Sequence, residues 1–186
     1  MQDFRELIYH QHDVVVNQKY GGYLPYSFHL KAVEAQGEKF IYLIGDGDIS
    51  NPDNYRSTNV PIKDIVRYAL IAHDSIEDAR LTYNNVLDLS IEGNYYASKM
   101  IADIVYCVTD EKGKSRSDRK NEKYYKELKD NKLAIFVKLA DLAANTLFSK
   151  LTGSSMYQKY KVEFPNFIEQ LYIEEYKEFF DYVENL

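Results

Sequence analysis

The sequence has little cysteine, little glycine or proline, and no tryptophan. Cys107 is the single cysteine among 186 residues, which excludes a disulfide framework and a cysteine-based zinc site. Because small secreted domains usually rely on disulfides, we predict a cytoplasmic location. Eight glycines and four prolines are too few for a collagen-like or a Pro/Gly-rich disordered chain.

Long apolar runs and an excess of positive charge are also absent. No run approaches the roughly 18 residues that a membrane span requires. The first residues carry charge where a signal peptide has an apolar core. Lys and Arg number 23 against 29 Asp and Glu, a net charge of −6, so the chain lacks the positive charge that neutralises nucleic-acid phosphates. We therefore predict no membrane and no nucleic-acid partner.

What the sequence does have is apolar residues at intervals of three and four, the helical period. Helix boundaries are predicted at Gly21-Gly22, Pro25, Pro61, Thr82, Gly93 and Pro165. The apolar segment 133–151 is predicted to form one long helix, and a last helix is expected after Pro165. Residues 40–44 (FIYLI) are the only strand candidate, and they equally suit a helix end. The prediction is an all-α fold of one domain over 1–186, with a core over about 13–150 and C-terminal helices over 155–186.

Two polar stretches interrupt this pattern. Residues 45–59 (GDGDISNPDNYRSTN) have turn chemistry throughout and predict a long insertion loop. Residues 112–126 contain seven basic and two acidic side chains. Such a charge run is either a solvated loop or, beside a phosphate-directed centre, an anion site.

Four residues stand out in apolar surroundings: His29, the pair His73-Asp74, and Asp141. Burying ionisable groups in apolar helices costs several kcal/mol unless a partner binds them. Neighbouring residues on a helix point about 100° apart, so His73 and Asp74 share one ion only at a helix end or bend. The other His-Asp pair, His12-Asp13, is interpreted as a chance pair on an exposed helix face.

Two imidazoles and two carboxylates form a donor set suited to a divalent transition metal such as Mn²⁺, Fe²⁺ or Zn²⁺. Four protein ligands leave positions open on a six-coordinate ion for water and a phosphate oxygen. A bound ion of this kind acidifies water and neutralises charge on a phosphoryl group. The set therefore indicates a catalytic rather than a structural metal site.

Three motifs in chain order carry a resemblance to a known family. PYSFH (25–29), AHDSIED (72–78) and VKLADLAAN (137–145) resemble the hydrolase domain of RelA/SpoT enzymes and small alarmone hydrolases. RelA/SpoT enzymes and small alarmone hydrolases are HD-domain metal-dependent phosphohydrolases. VTDEKGKSRSDRK (108–120) is similar to the basic loop of that domain.

The resemblance implies an HD-type helical bundle that removes the 3′-pyrophosphate of (p)ppGpp, with Mn²⁺ as the expected cofactor. It implies metal ligation by His29, His73, Asp74 and Asp141, and activation of water by Glu77 and Asp78. Substrate contacts are implied for Lys19, Tyr26, Asn145 and, from the basic loop, Lys112, Lys114, Arg116 and Arg119.

The sequence departs from the family around the base pocket. Gln18 and Leu142 stand where the family usually carries arginines, and Leu147 and Phe148 replace an arginine and a small polar residue. Two alternatives therefore stay open: a hydrolase of another phosphorylated nucleotide, such as a 5′-nucleotide or NADPH, and a nucleotide-binding module without turnover. The aromatic C-terminal region leaves open a homo-oligomer.

Overall fold

The computed structural model describes residues 2–45, 59–110 and 114–186, and their architecture is a bundle of α-helices. This confirms the predicted all-α class. The helices are α1 (Gln2–His10), α2 (Ser27–Phe40), α3 (Ile62–Ala72), α4 (Tyr83–Ser90), α5 (Tyr95–Val108), α6 (Arg116–Arg119), α7 (Glu122–Lys129), α8 (Lys132–Leu151), α9 (Met156–Leu171) and α10 (Lys177–Glu184). Short π and 3₁₀ turns span Gln11–Val15, Ile41–Leu43 and Glu174–Tyr176.

The long helix α8 is the centre of the bundle. It is apolar on every face, and most of its residues are buried, as expected for a helix surrounded by others. Helices α2, α3, α5, α7, α9 and α10 all pack against it. Four polar residues of α8 lie in the core, where each requires a partner: Lys138, Asp141, Thr146 and Ser149.

Several helix starts follow the predicted punctuation. Thr82 caps α4 in a capping box with Asn85, and Pro61 directly precedes α3. Asn94, just after Gly93, caps α5 by accepting a hydrogen bond from the backbone N–H of Ala97. These caps satisfy backbone donors that the first helical turn leaves free.

Of the two interpretations open for the segment 40–44, the helix end is confirmed: α2 runs to Phe40, and a 3₁₀ turn follows. Two other details differ from the predicted elements. Gly21 and Gly22, both with positive φ, form instead the turn of a two-stranded antiparallel hairpin, β1 (Lys19–Tyr20) and β2 (Leu24–Pro25).

The second difference concerns Pro165, which lies inside α9 rather than before the last helix. Proline costs the helix one backbone hydrogen bond there. Phe164 and Phe167 on either side of it are buried, and their packing keeps the helix continuous. The chain breaks later, at Tyr172, before α10.

Among the described helices, none combines the length and apolar character needed to cross a bilayer. Of the predicted insertion loop 45–59, residues 46–58 lie outside the described part of the chain.

Helix α2, which carries His29, and helix α3, which ends just before His73, approach closely at Gly37. A Cβ atom at this position would lie 2.5 Å from Cδ1 of Leu70, a fully buried side chain of α3. The absence of a side chain at position 37 thus sets the spacing between the two helices.

Gly37→Ala is expected to lower the free energy of unfolding by about 1–2 kcal/mol, measured by urea denaturation. Overpacking costs about 1–3 kcal/mol and exceeds the gain of about 0.5–1 kcal/mol from replacing a helical glycine with alanine. In a Leu70→Ala background the same substitution should be neutral or stabilising, since the clash is gone. Stabilisation of the otherwise unaltered protein would contradict this account.

Candidate metal centre

Three helices bring the predicted ligands together. His29 lies in the first turn of α2, and Asp141 lies in the middle of α8. Helix α3 ends at Ala72, so that His73 and Asp74 occupy the turn that follows it. The helix end supplies the change of direction that lets neighbouring residues face one point.

The ligand atoms lie close together. His29 Nε2 is 3.2 Å from His73 Nε2, 3.3 Å from Asp74 Oδ2 and 3.4 Å from Asp141 Oδ1. His73 Nε2 is 3.0 Å from Asp74 Oδ2 and 3.8 Å from Asp141 Oδ1. Neighbouring ligands of an octahedral ion with bonds of about 2.1 Å lie roughly 3 Å apart, a spacing close to most of these distances.

The hydrogen bonds of the imidazoles also fit a cation. The Nδ1 atom of His73 lies 3.0 Å from the carbonyl oxygen of Leu70, to which it donates. In the neutral ring this leaves the lone pair on Nε2, aimed at the cluster, as in metal-binding histidines. Both histidine side chains are only 1% exposed. Two buried imidazole nitrogens that face each other need either a proton or a metal ion between them.

The charges of the cluster lead to the same conclusion. Burial alone would lower the pKa of His29, but its hydrogen bonds to Asp141 and Asp74 raise it to about 9. The carboxylates of Asp74 and Asp141 thus stabilise a positive charge at the His29 imidazole. Since metals displace protons from their ligands, His29, His73 and Asp141, together with Asp74, could hold a metal ion here, and this donor set suits a divalent transition metal.

Lys138 is a buried cation that the sequence analysis missed. Its Nζ lies 3.2 Å from Asp141 Oδ2, one helical turn away on α8. Burial raises the pKa of Asp141, but the charge of Lys138 and the hydrogen bond from His29 more than reverse this and lower it. A lysine three residues before an aspartate in the apolar run VKLAD was the available signal.

Lys138→Met is expected to destabilise the metal-free protein by about 3 kcal/mol, because it removes one of the two cationic partners of the buried Asp141 carboxylate and leaves only His29. Chemical denaturation checks this, and Lys159→Met, an exposed lysine of α9, is the matched control. Saturating Mn²⁺ should recover part of the loss, since the ion binds only the folded protein. Equal stability of the two variants without metal would contradict the assigned role.

Tyr26 connects the metal ligands to the neighbouring acid. Its hydroxyl lies 2.5 Å from Asp74 Oδ2 and 2.9 Å from Asp78 Oδ2, and it donates its one proton to either carboxylate. Burial and the charges of Asp74 and Asp78 raise the pKa of Tyr26, so the phenol stays protonated. The structure therefore places Tyr26 as a positioning group for two acids.

Glu77, the other predicted water-activating acid, lies at the open edge of the cluster. Its Oε2 accepts a hydrogen bond from the backbone N–H of Asp110, and Oε1 lies 3.5 Å from Nη1 of Arg119. Partial burial raises the pKa of Glu77, against the opposing charge of Lys138. A carboxylate with a raised pKa is better suited to accept a proton than an ordinary surface glutamate.

A cavity of about 220 Å³ opens beside these acids. It is lined by Tyr26, Asp74, Glu77, Asp78, Lys120, Lys138, Asp141, Leu142, Asn145 and Tyr160. Tyr160 was not predicted, and Lys120 was not singled out within the basic run 112–126, because only the packing of α7 and α9 against α8 brings both to this cavity. Four acids and two lysines around one cavity suit a metal ion together with an anionic ligand.

The other predicted substrate residues have mixed outcomes. Asn145 reaches the cavity, but its amide donates to Asp141 and accepts from Tyr20. Lys19 and Lys114 are exposed, and neither is among the described residues that line this cavity. Arg119 is partly exposed, and its guanidinium pairs with the Glu77 carboxylate. Lys112 and the side chain of Arg116 lie outside the described part of the chain.

The interpretation of His12-Asp13 as an exposed pair is wrong. His12 is fully buried, stacks on Tyr26 with ring centroids 4.8 Å apart, and contacts Gln18 Oε1 through Nδ1 at 3.0 Å. Asp13 accepts a hydrogen bond from the backbone N–H of Ser27, at the start of α2. The π-helical turn in this segment breaks the α-helical period on which the prediction rested.

The comparisons with known proteins add no relative. No family model, curated protein or solved structure matches this chain. The chemistry and geometry of its own residues, together with the motif resemblance, are therefore what support a function.

Proposed function

We propose that this protein is a metal-dependent phosphohydrolase. The observation that carries the proposal is the cluster of His29, His73 and Asp141, whose ligand atoms lie within 4.8 Å of one another. Asp74 Oδ2 lies 3.3 and 3.0 Å from the two imidazoles, and further acids line an open cavity beside them. His29, His73, Asp74 and Asp141 would hold a divalent ion, with Mn²⁺ as the expected species. When bound, such an ion supplies an acidified water and neutralises developing phosphoryl charge.

The chain's own residues have distinct roles in this proposal. Glu77, with its raised pKa and its position at the cavity edge, accepts the proton of the attacking water. Asp78, held by the Tyr26 hydroxyl, orients that water. Lys138 and Lys120 line the same cavity and offset the negative charge of a phosphoryl group.

The substrate that we propose is guanosine 3′,5′-bis(diphosphate), hydrolysed to GDP and pyrophosphate. The motif resemblance supports this choice, and a small nucleotide rather than a nucleic acid is then the partner. We also propose the cytoplasm as the location, in keeping with the single cysteine.

A different phosphorylated nucleotide, of the 5′-nucleotide or NADPH type, is favoured by one specific observation. Phe148 packs on Tyr20 with ring centroids 4.3 Å apart and lies against Gly21. Oε1 of Gln18 lies within hydrogen-bond distance of Nδ1 of His12. Two of the residues that depart from the family, Phe148 and Gln18, thus make their contacts with other residues of this chain. A binding module without turnover would have little use for Glu77 and Asp78.

Release of pyrophosphate from ppGpp by the purified protein with Mn²⁺ tests the proposal, alongside a panel of 5′-nucleotides and NADPH. Preferred turnover of ppGpp supports the alarmone substrate. Turnover of another panel member alone supports the second candidate. Mn²⁺ binding without hydrolysis of any nucleotide in the panel would overturn the enzymatic proposal.

A further inference from the structure

A second cavity adjoins the one beside the acids. It has a volume of about 210 Å³ and lies between α7, α8 and α9. The two cavities share three lining residues: Lys120, Leu142 and Tyr160. A single ligand is therefore able to extend from one into the other.

The walls of the two cavities differ in chemistry. The first is surrounded mainly by charged groups, whereas the second is lined largely by the rings of Tyr125, Tyr160, Phe164 and Phe167 and by Leu142. Lys120, at the boundary, has its Nζ 3.1 Å from Glu163 Oε2. The pair of cavities thus provides a polar compartment and an aromatic compartment joined at a lysine.

The opposite flank of the histidine cluster is filled. Tyr20 stacks on His29 at 4.7 Å between ring centroids, and Phe148 packs on Tyr20. The Tyr20 hydroxyl is bonded to Asn145. A planar group attached to a phosphate at the acids finds aromatic walls and open volume toward α9, where Leu142 and Tyr160 line both cavities.

We propose that the aromatic cavity between α7, α8 and α9, defined by Tyr125, Leu142, Tyr160, Phe164 and Phe167, binds the nucleobase of the substrate. This inference rests on the proposed function, because it takes the phosphoryl group to lie at the acidic cavity. Stacking on aromatic side chains is sequence-tolerant, since every base has a π-face. The cavity therefore selects for a planar base, and Leu142 provides an apolar contact where the family usually carries arginine.

The absence of tryptophan in the chain allows a direct test. Phe164→Trp places a single fluorophore in the cavity wall, and Val162→Trp places one on the exposed surface of the same helix. Each variant is titrated with GMP and with ribose 5-phosphate, which has the same phosphate and sugar but no base. Fluorescence is excited at the red edge of the tryptophan band, where GMP does not absorb.

With GMP, the emission of Phe164→Trp should change saturably, whereas Val162→Trp should not respond. Binding of ribose 5-phosphate, measured by competition, should be roughly tenfold weaker than that of GMP. Equal affinities, or equal responses of the two variants, would overturn the inference. If Phe164→Trp fails to fold, Asn166→Trp at the exposed edge of the same cavity replaces it.

The outcome is separable from that of the phosphohydrolase proposal. Hydrolysis of ppGpp or of another panel nucleotide, with no base-dependent signal in the cavity, would overturn this inference alone. A base-dependent signal without hydrolysis of any nucleotide would support the cavity assignment and overturn the enzymatic proposal.

Discussion

Replacing Asp74 with asparagine is expected to abolish Mn²⁺ binding and phosphohydrolase activity together. Oδ2 of Asp74 lies 3.0 Å from His73 Nε2 and 3.3 Å from His29 Nε2, so its charge faces the point where both lone pairs meet. Loss of an outer-shell partner alone typically weakens metal binding 10–100-fold, and loss of a charged ligand should weaken it by more than about 100-fold. Isothermal titration with Mn²⁺ and the pyrophosphate-release assay measure the two effects.

The matched control is Asp88→Asn, an exposed aspartate on α4. It changes the net charge equally and should leave metal binding and activity unaltered. Circular dichroism of both variants establishes that the helices are retained. If Asp74→Asn lost activity but bound Mn²⁺ as tightly as the unaltered protein, Asp74 would not be a ligand. Retained activity would contradict the assignment of the catalytic metal centre to this cluster.

The agreement between sequence and structure is best where one local signal dominates. Thr82 and Pro61 mark helix starts because their effects depend on a few neighbouring backbone groups. The four candidate metal ligands could be predicted from the sequence for a related reason. An aspartate inside the apolar run 133–151 and a His-Asp pair at the end of another are costly, and only a shared partner removes the cost.

The residues that escaped prediction depend on long-range packing. Tyr160 and Lys120 reach the acidic cavity only because α9 and α7 pack against α8. His12 becomes buried through a π-helical turn, which no hydrophobic period signals. Pro165 is tolerated inside α9 because buried phenylalanines flank it, a tertiary effect that overrides its usual helix-ending role.

The second large effect is expected for Glu77→Gln, which should lower kcat by about 10²–10⁴-fold and leave Mn²⁺ affinity unchanged. Glutamine keeps the size of the side chain and can still accept the hydrogen bond from Asp110, but it takes no proton from water. The side-chain oxygens of Glu77 contact the backbone N–H of Asp110 and the guanidinium of Arg119, and we do not assign it as a ligand. Rate and metal binding should therefore separate in this variant, in contrast to Asp74→Asn.

The pH profile distinguishes a base from a structural contact. A general base acts only when ionised, so activity falls as the pH drops through the pKa of Glu77. Partial burial raises that pKa, so this acid limb should lie above the ordinary glutamate value of about 4.3. Glu77→Gln should abolish the limb, while the exposed Glu92→Gln should preserve both the limb and the rate. An unchanged limb in Glu77→Gln would assign proton transfer to another group, and Asp78, bonded to Tyr26, is the nearest acid in the chain to test next.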